Sequence, residues 1–203
     1  MKIYPVVIGD LQVNSYFVTE DGENAVVIDC GDDLATLKQT AQTLNLKIGA
    51  VILTHAHFDH SGSASALQQE GVKIYISEKD APKLSNKENL SWHFGIYFEE
   101  LSPDYTFSEG QILELYGLKF KIIETPGHTD GSVCLVAEDN LFSGDTLFNL
   151  SVGRTDFPTG DFNQLKKSIQ RLFKDYDGYK VYPGHGPSTT ISYEKKFNPI
   201  NNY

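Results

Sequence analysis

Cysteine is nearly absent from this chain of 203 residues: Cys30 and Cys134 are the only two. Two thiols cannot build a disulfide framework, and each reads as a buried inert thiol rather than half of a redox pair. No apolar run approaches the roughly 18 residues that a membrane-spanning helix needs. The opening Met1-Lys2-Ile3-Tyr4-Pro5 lacks the long apolar core and small-residue cleavage site of a secretion signal. Basic residues are scarce as well, with 17 Lys+Arg against 27 Asp+Glu for a net charge of −10. A chain without clustered Lys and Arg is poorly equipped to grip DNA, RNA or an anionic membrane. These absences predict a soluble cytoplasmic protein with neither a nucleic-acid nor a membrane partner. They leave open a small anionic substrate drawn by a local positive site. What is present is ordinary globular composition, 40% hydrophobic, 12% aromatic and 22% charged. That is enough for one domain with a real core over residues 1–203.

Runs at 2–8 and 13–19, joined by the turn at Gly9-Asp10, read as strands, as does 24–29 after Asp21-Gly22. Asp32 and Asp33 offer a cap for a helix to about Leu44, with Leu34, Leu37, Ala41 and Leu44 on one face. The short apolar run 48–53 has the signature of a strand buried on both faces. A helix at 61–70, a strand at 72–77 and a short helix near 79–84 follow. Residues 85–104 are polar and aromatic without a clear period, and so long a connection suits a lid or binding loop that walls a cleft. Further strands are expected at 111–115, 118–124, 132–137 and 140–143. A helix at about 161–174 carries the stripe Leu165, Ile169, Leu172 and Phe173, and a last strand at 180–182 precedes a short tail. Two β-rich segments, each closed by helices, suggest an α+β architecture of sheets packed face to face with helices outside. The pattern does not fix the strand order.

The chemistry lies in the histidines. Of six, five fall in short turn-rich motifs at expected strand ends. Thr54-His55-Ala56-His57-Phe58-Asp59-His60 directly follows the buried strand. In extended chain His55 and His57 project to the same side, because side chains repeat every two residues. The turn into a helix sends Asp59 and His60 in new directions, and the helix N-terminus favours the Asp59 carboxylate. Imidazole and carboxylate together suit zinc, iron or manganese, provided the ligands are deprotonated. Three more strand-end turns repeat the pattern. Thr125-Pro126-Gly127-His128 presents His128, Leu141-Phe142-Ser143-Gly144-Asp145 presents Asp145, and Tyr182-Pro183-Gly184-His185-Gly186 presents His185.

This ordered set resembles the metallo-β-lactamase superfamily of metallohydrolases. The resemblance implies a four-layer αββα sandwich with a two-metal cleft at the sheet edges. It assigns His55, His57 and His128 to one metal, Asp59, His60 and His185 to a second, and Asp145 as the bridge. It implies two divalent ions, zinc first, with iron or manganese as alternatives. Asp59 and Asp145 are then also the catalytic carboxylates. A cysteine at position 145 would have pointed to the antibiotic-hydrolysing lactamases.

Within the superfamily the chain is similar to the short bacterial glyoxalase II-like (hydroxyacylglutathione hydrolase-like) enzymes. That closer match lies in Thr125–Ser132, Gly153-Arg154-Thr155-Asp156-Phe157-Pro158 and Glu194-Lys195-Lys196-Phe197-Asn198-Pro199. Only 18 residues follow His185, so the C-terminal helical domain with which the longer enzymes hold glutathione is not expected. The reaction implied is hydrolysis of a small-molecule thioester to a thiol and an acid. A thiolate leaves without needing a proton, and these motifs contain no obvious general acid. The main alternative is an iron persulfide dioxygenase of the same fold, with His55, His128 and Asp145 as its facial triad. A lactonase, a nuclease and a non-catalytic scaffold are weaker readings. Arg154 is a candidate anchor for a substrate carboxylate, or else a partner of Asp156 or Asp161. His93, beside Trp92 and Phe94, is a candidate substrate contact set against a plain surface role. Oligomeric state is not legible.

Overall fold

The computed structural model describes residues 1–203. The first half of the chain forms β1 (Lys2–Ile8), β2 (Val13–Thr19), β3 (Asn24–Ile28), α1 (Leu34–Leu44), β4 (Lys47–Ile52), α2 (Phe58–Ser61), α3 (Ala64–Gln69), β5 (Lys73–Ser77) and β6 (Tyr105–Phe107). The second half forms β7 (Ile112–Leu115), β8 (Leu118–Glu124), β9 (Val133–Ala137), β10 (Asn140–Gly144), β11 (Leu147–Phe148), β12 (Ser151–Val152), α4 (Phe162–Asp175), β13 (Lys180–Pro183), β14 (Thr189–Thr190) and α5 (Ile191–Phe197). One six-stranded sheet has the order β1-β2-β3-β4-β5-β6 and the other β14-β13-β10-β9-β8-β7, while β11 and β12 form a separate hairpin. Each sheet begins as an antiparallel meander and turns parallel where a crossover intervenes. α1 carries the chain from β3 to the parallel β4, and α4 carries it from β10 to the parallel β13.

Alternation along the strands explains the layering. In β2 to β4, Phe17, Val27 and Val51 face one way, into a core closed by Leu37 and Ala41 of α1 and Leu67 of α3. Their neighbours Val18, Val26 and Ile52 face the other way. There they meet Leu118, Phe120 and Ile122 of β8 and Val133 and Leu135 of β9 between the two sheets. The far face of the second sheet, with Ile123, Cys134 and Val136, packs on the Leu165, Ile169, Leu172 and Phe173 stripe of α4 and on Ile191 of α5. Three apolar cores thus separate four layers, the αββα arrangement. The two outer cores each set a period-two sheet face against helices, and the middle one sets two sheet faces against each other.

Local chemistry fixes the helix ends. Asp33 caps α1 by accepting the Thr36 N–H at 3.0 Å, and Asn45, with φ 52°, ends the helix in the left-handed region. Asp161 caps α4 by accepting the Gln164 N–H at 3.0 Å. The helix expected at 61–70 is instead two, and the first starts earlier, at Phe58. The split follows from the Ser63 N–H, which leaves the helical ladder to donate to the Gly31 carbonyl at 2.7 Å. The short tail expected after 182 holds β14 and α5, which the sequence did not indicate. Glu194, wholly buried on α5, accepts the Leu150 N–H (2.9 Å), the Thr189 hydroxyl (2.6 Å) and the Asn198 amide (2.7 Å). Three donors compensate the burial of that charge and tie the C-terminal segment to the β11–β12 hairpin. Residues 85–104 begin at the end of a 3-10 helix, Ala81–Ser85, contain the short 3-10 turn Lys87–Asn89, and otherwise hold no helix or strand. Both cysteines are buried and free, and burial pushes their thiols up, that of Cys134 to about 11. No helix is long and apolar enough to cross a membrane.

Candidate metal centre

The strand directions gather the polar turns at one edge. β8 and β10 run the same way, each antiparallel to β9, and β13 is parallel to β10. The turns that follow β8, β10 and β13 therefore emerge together, opposite the turn that follows β4 in the other sheet. His55 and His57 leave the end of β4, and Asp59 and His60 lie in α2, the first helical turn beyond it. Gly127, with φ 143°, lets the His128 turn press against the α4 backbone at Leu165, where a Cβ would collide. Gly184 does the same service one strand away, since a Cβ there would meet the Asp145 carboxylate and the His60 ring.

All seven candidate ligands converge. Ligand atoms of His55, His57 and His128 lie within 4.8 Å of one another, as do those of His55, His60 and Asp145 and those of Asp59, His60 and His185. Asp145 stands between the sets, with Oδ1 3.3 Å from His60 Nε2 and Oδ2 3.5 Å from His128 Nε2 and 3.7 Å from His185 Nε2. Asp59 Oδ2 lies 3.5 Å from His185 Nε2. His185 is the most open member, with 28% of its side chain exposed.

A ring of supporting hydrogen bonds decides which imidazole nitrogens face inward. Asp29 Oδ1 accepts the Thr54 N–H, and Asp29 Oδ2 accepts both the Thr54 hydroxyl (2.8 Å) and His60 Nδ1–H (2.9 Å). With its proton given to Asp29, Thr54 Oγ1 is left to accept His55 Nδ1–H at 3.1 Å. The Arg154 carbonyl accepts His128 Nδ1–H at 2.8 Å. His55, His60 and His128 consequently turn bare Nε2 lone pairs toward the common centre. Nε2 of His55, His57 and His60 and Oδ1 of Asp145 are buried with no hydrogen-bond partner in the protein. Three of these, His55 Nε2, His60 Nε2 and Asp145 Oδ1, belong to one cluster and carry a heavy cost unless a cation satisfies them, and His57 brings Nδ1 to within 2.9 Å of His128 Nε2, so the donor set fits a metal. Burial pushes His55 well below its ordinary range, helped by the imidazoles of His60, His57 and His128, and drives His57 to about 3. Burial works against a charge on His60 too, but Asp145, Asp59 and Asp29 outweigh it and raise that group. Burial disfavours the Asp145 carboxylate, and the surrounding His60, His128 and His185 nevertheless hold it well below the carboxylate range. Burial thus favours neutral His55 and His57, while the carboxylates favour positive charge at His60 and His185, a charge that a divalent ion would supply in place of their protons.

Above these atoms opens a cavity of about 410 Å³. Its floor is His57, Asp59, His128, Asp145 and His185, and its walls are Leu11, Phe58, Leu90, Phe94, Phe148, Val152, Arg154 and Phe157. Arg154 donates Nε–H and an Nη2–H to the two carboxylate oxygens of Asp156, both at 2.7 Å, and lies 3.8 Å over the Phe157 ring.

Residues 8–185 match the model of the family described as the metallo-beta-lactamase superfamily. The chain belongs to that superfamily. Among curated relatives it is 37% identical to the hydroxyacylglutathione hydrolase GloC of Haemophilus influenzae, over all of this chain and 99% of that protein. Among solved structures it superposes on the BLEG-1 B3 metallo-beta-lactamase with a TM-score of 0.93 at 33% identity, covering 98% and 99% of the two chains. On TTHA1623, solved in a di-iron-bound form, the TM-score is 0.87 at 36% identity, covering 97% and 99%.

In this superfamily member the two candidate substrate residues part company. Arg154 lines the cleft but is committed to Asp156, and His93 is exposed and absent from the cleft wall, its ring 5.4 Å from Phe94 and 6.1 Å from Phe157. Two buried acids that hold the site were not singled out in the sequence. Asp29 follows β3 in a left-handed conformation, φ 53°, rare for a non-glycine, and the bonds just described hold it there. Asp80 Oδ2 accepts the Ala56 N–H and the Thr129 hydroxyl, each at 2.9 Å, so one oxygen ties the His55–His57 turn to the His128 turn. Lys83, almost wholly buried, pairs with Asp80 and Asp130. A lone Asp after a strand or before a short helix gives no signal of this kind. The hydrophobic cleft wall was equally hidden, apart from the aromatic content of 85–104.

Proposed function

We propose that this chain is a metal-dependent hydrolase that cleaves thioesters of small thiols into thiol and acid. The observation that carries the reading is the convergence of unpartnered buried lone pairs on the floor of a closed-sided cleft. His55, His57 and His128 would hold one divalent ion and Asp59, His60 and His185 another, with Asp145 between them. The ions, zinc first with iron or manganese as alternatives, would supply a Lewis acid and readily ionised water at neutral pH. The chain's own residues then have separable tasks. Asp29 and the Arg154 carbonyl keep the imidazole lone pairs aimed inward, and Asp80 holds two of the ligand turns in register. Asp59 Oδ2, facing the cleft, is placed to accept a proton from attacking water. The apolar walls exclude bulk solvent from the reacting carbonyl. No lysine or neutral carboxylic acid in the wall stands ready to protonate a leaving group. A thiol, with a pKa near 8.5, departs as the anion and needs none. The sequence relationship to GloC supports the same class.

The test is a substrate screen on the full chain loaded separately with zinc, manganese and iron. Thioesters as a class, S-lactoylglutathione among those tried, are expected to be turned over faster than the other compounds. A lactone and a chromogenic cephalosporin enter because the BLEG-1 protein carries the name of a lactamase, and glutathione persulfide enters with an oxygen electrode. Faster turnover of the cephalosporin, or strong oxygen uptake by protein holding one iron per chain, would overturn the thioester reading.

A further inference from the structure

The cleft wall is aromatic where it meets the ligand cluster. Phe58 and Phe94 have ring centroids 5.4 Å apart, and Phe94 and Phe157 stand nearly perpendicular at 6.2 Å. The His57 ring abuts Phe157 edge-on at 6.1 Å, so the aromatic cluster begins directly beside a candidate ligand. Phe58 is almost wholly buried yet lines the cavity, whereas Phe94, 47% exposed, reaches it from the 85–104 segment. The only cationic side chain of Lys or Arg type in the wall is Arg154, whose fork is filled by Asp156 and whose plane lies on Phe157. Three clustered rings, with Phe148 a fourth in the wall, and no free donor make this wall a seat for an uncharged, flat group, with the reactive bond lying over the polar floor.

We propose that Phe58, Phe94 and Phe157 form an acyl seat and that the preferred substrates are thioesters of flat, apolar acids of the arylacetyl class. The inference rests on the thioester reading and deepens it. A small hydroxylated acyl group such as lactoyl would lose water from its hydroxyl against these rings and gain no partner. An aryl group meets edges and faces of the rings and displaces water from all three. The step itself adds water across the C–S bond. The water oxygen bonds to the carbonyl carbon, sulfur leaves with the bonding pair as thiolate, and the water protons pass to solvent.

The experiment holds the thiol constant as N-acetylcysteamine, which is neutral, and varies the acyl group on zinc-loaded full chain. kcat/KM for the phenylacetyl thioester is expected to exceed that for the lactoyl thioester at least about tenfold. Phe94→Ala and Phe157→Ala should each cut that ratio by about tenfold. Equal or greater efficiency with lactoyl, or a ratio unmoved by both substitutions, overturns the acyl seat. If neither thioester is cleaved, the reaction class falls, and the seat is judged by calorimetric titration with the free acids. Saturable binding of phenylacetate in preference to lactate, weakened in Phe157→Ala, upholds it, and equal or no binding overturns it.

Discussion

The floor of the cleft and its rim are built on opposite principles. On the floor His55, His57, His60 and His128 are buried, and the Thr54 hydroxyl, Asp29 and the Arg154 carbonyl fix the rings of His55, His60 and His128. At the rim Leu11 is 45% exposed, Phe94 is 47% exposed, and Arg154 lies on the surface paired with its own neighbour. The floor rises from the ends of core strands, while the wall includes Leu90 and Phe94 from residues 85–104, which form no strand. Reaction type is therefore locked into the rigid part of the fold, and selectivity is left to the part that tolerates change.

The comparison breaks most sharply at the floor. Asp145→Ala and His128→Ala should each lower kcat/KM by about a thousandfold or more, with metal content per chain falling in step. Normal hydrolysis of S-lactoylglutathione by the Asp145 variant would refute its place between the two ligand sets. Chelation of wild-type protein should abolish turnover reversibly and lower Tm by several degrees, because the lone pairs that converge on the centre lose their partner. A chelated sample with unchanged Tm would mean that the cluster is satisfied without a cation. Asp80→Asn acts one layer out. Metal affinity, read by competition with a chromophoric chelator, should fall about ten- to a hundredfold while far-ultraviolet circular dichroism keeps its native shape. At the rim the effects shrink. Arg154→Ala removes an exposed pair and should change stability by less than about 1 kcal/mol in chemical denaturation. His93→Ala should leave turnover within about twofold, and a larger loss would bring His93 into the site.

The same division governs what a reader of the sequence can find. The ligands at 55–60 are legible because four of them fit in six residues, so their chemistry is local. His128, Asp145 and His185 are legible because each follows an apolar strand through a Gly-bearing turn. β2 and β8 keep seven-residue runs, long enough to read as strands, and β8 alternates over Leu118–Lys121. β11, β12 and β14 have two residues each, too few to show any period, and are held by pairing with distant chain. The break between α2 and α3 was hidden because its cause is the Gly31 carbonyl, remote in sequence from Ser63. Asp29 and Asp80 were hidden for a like reason. Their importance lies in what they accept from other segments, and no spacing encodes that.

One consequence follows from the ligands' origin in both sheets. His55 to His60 belong to the first and His128, Asp145 and His185 to the second, so neither half of the chain alone can complete the cluster. Metal loading would then act as a checkpoint on assembly: a half-docked chain offers an incomplete set of ligands, and only the finished sandwich presents all seven.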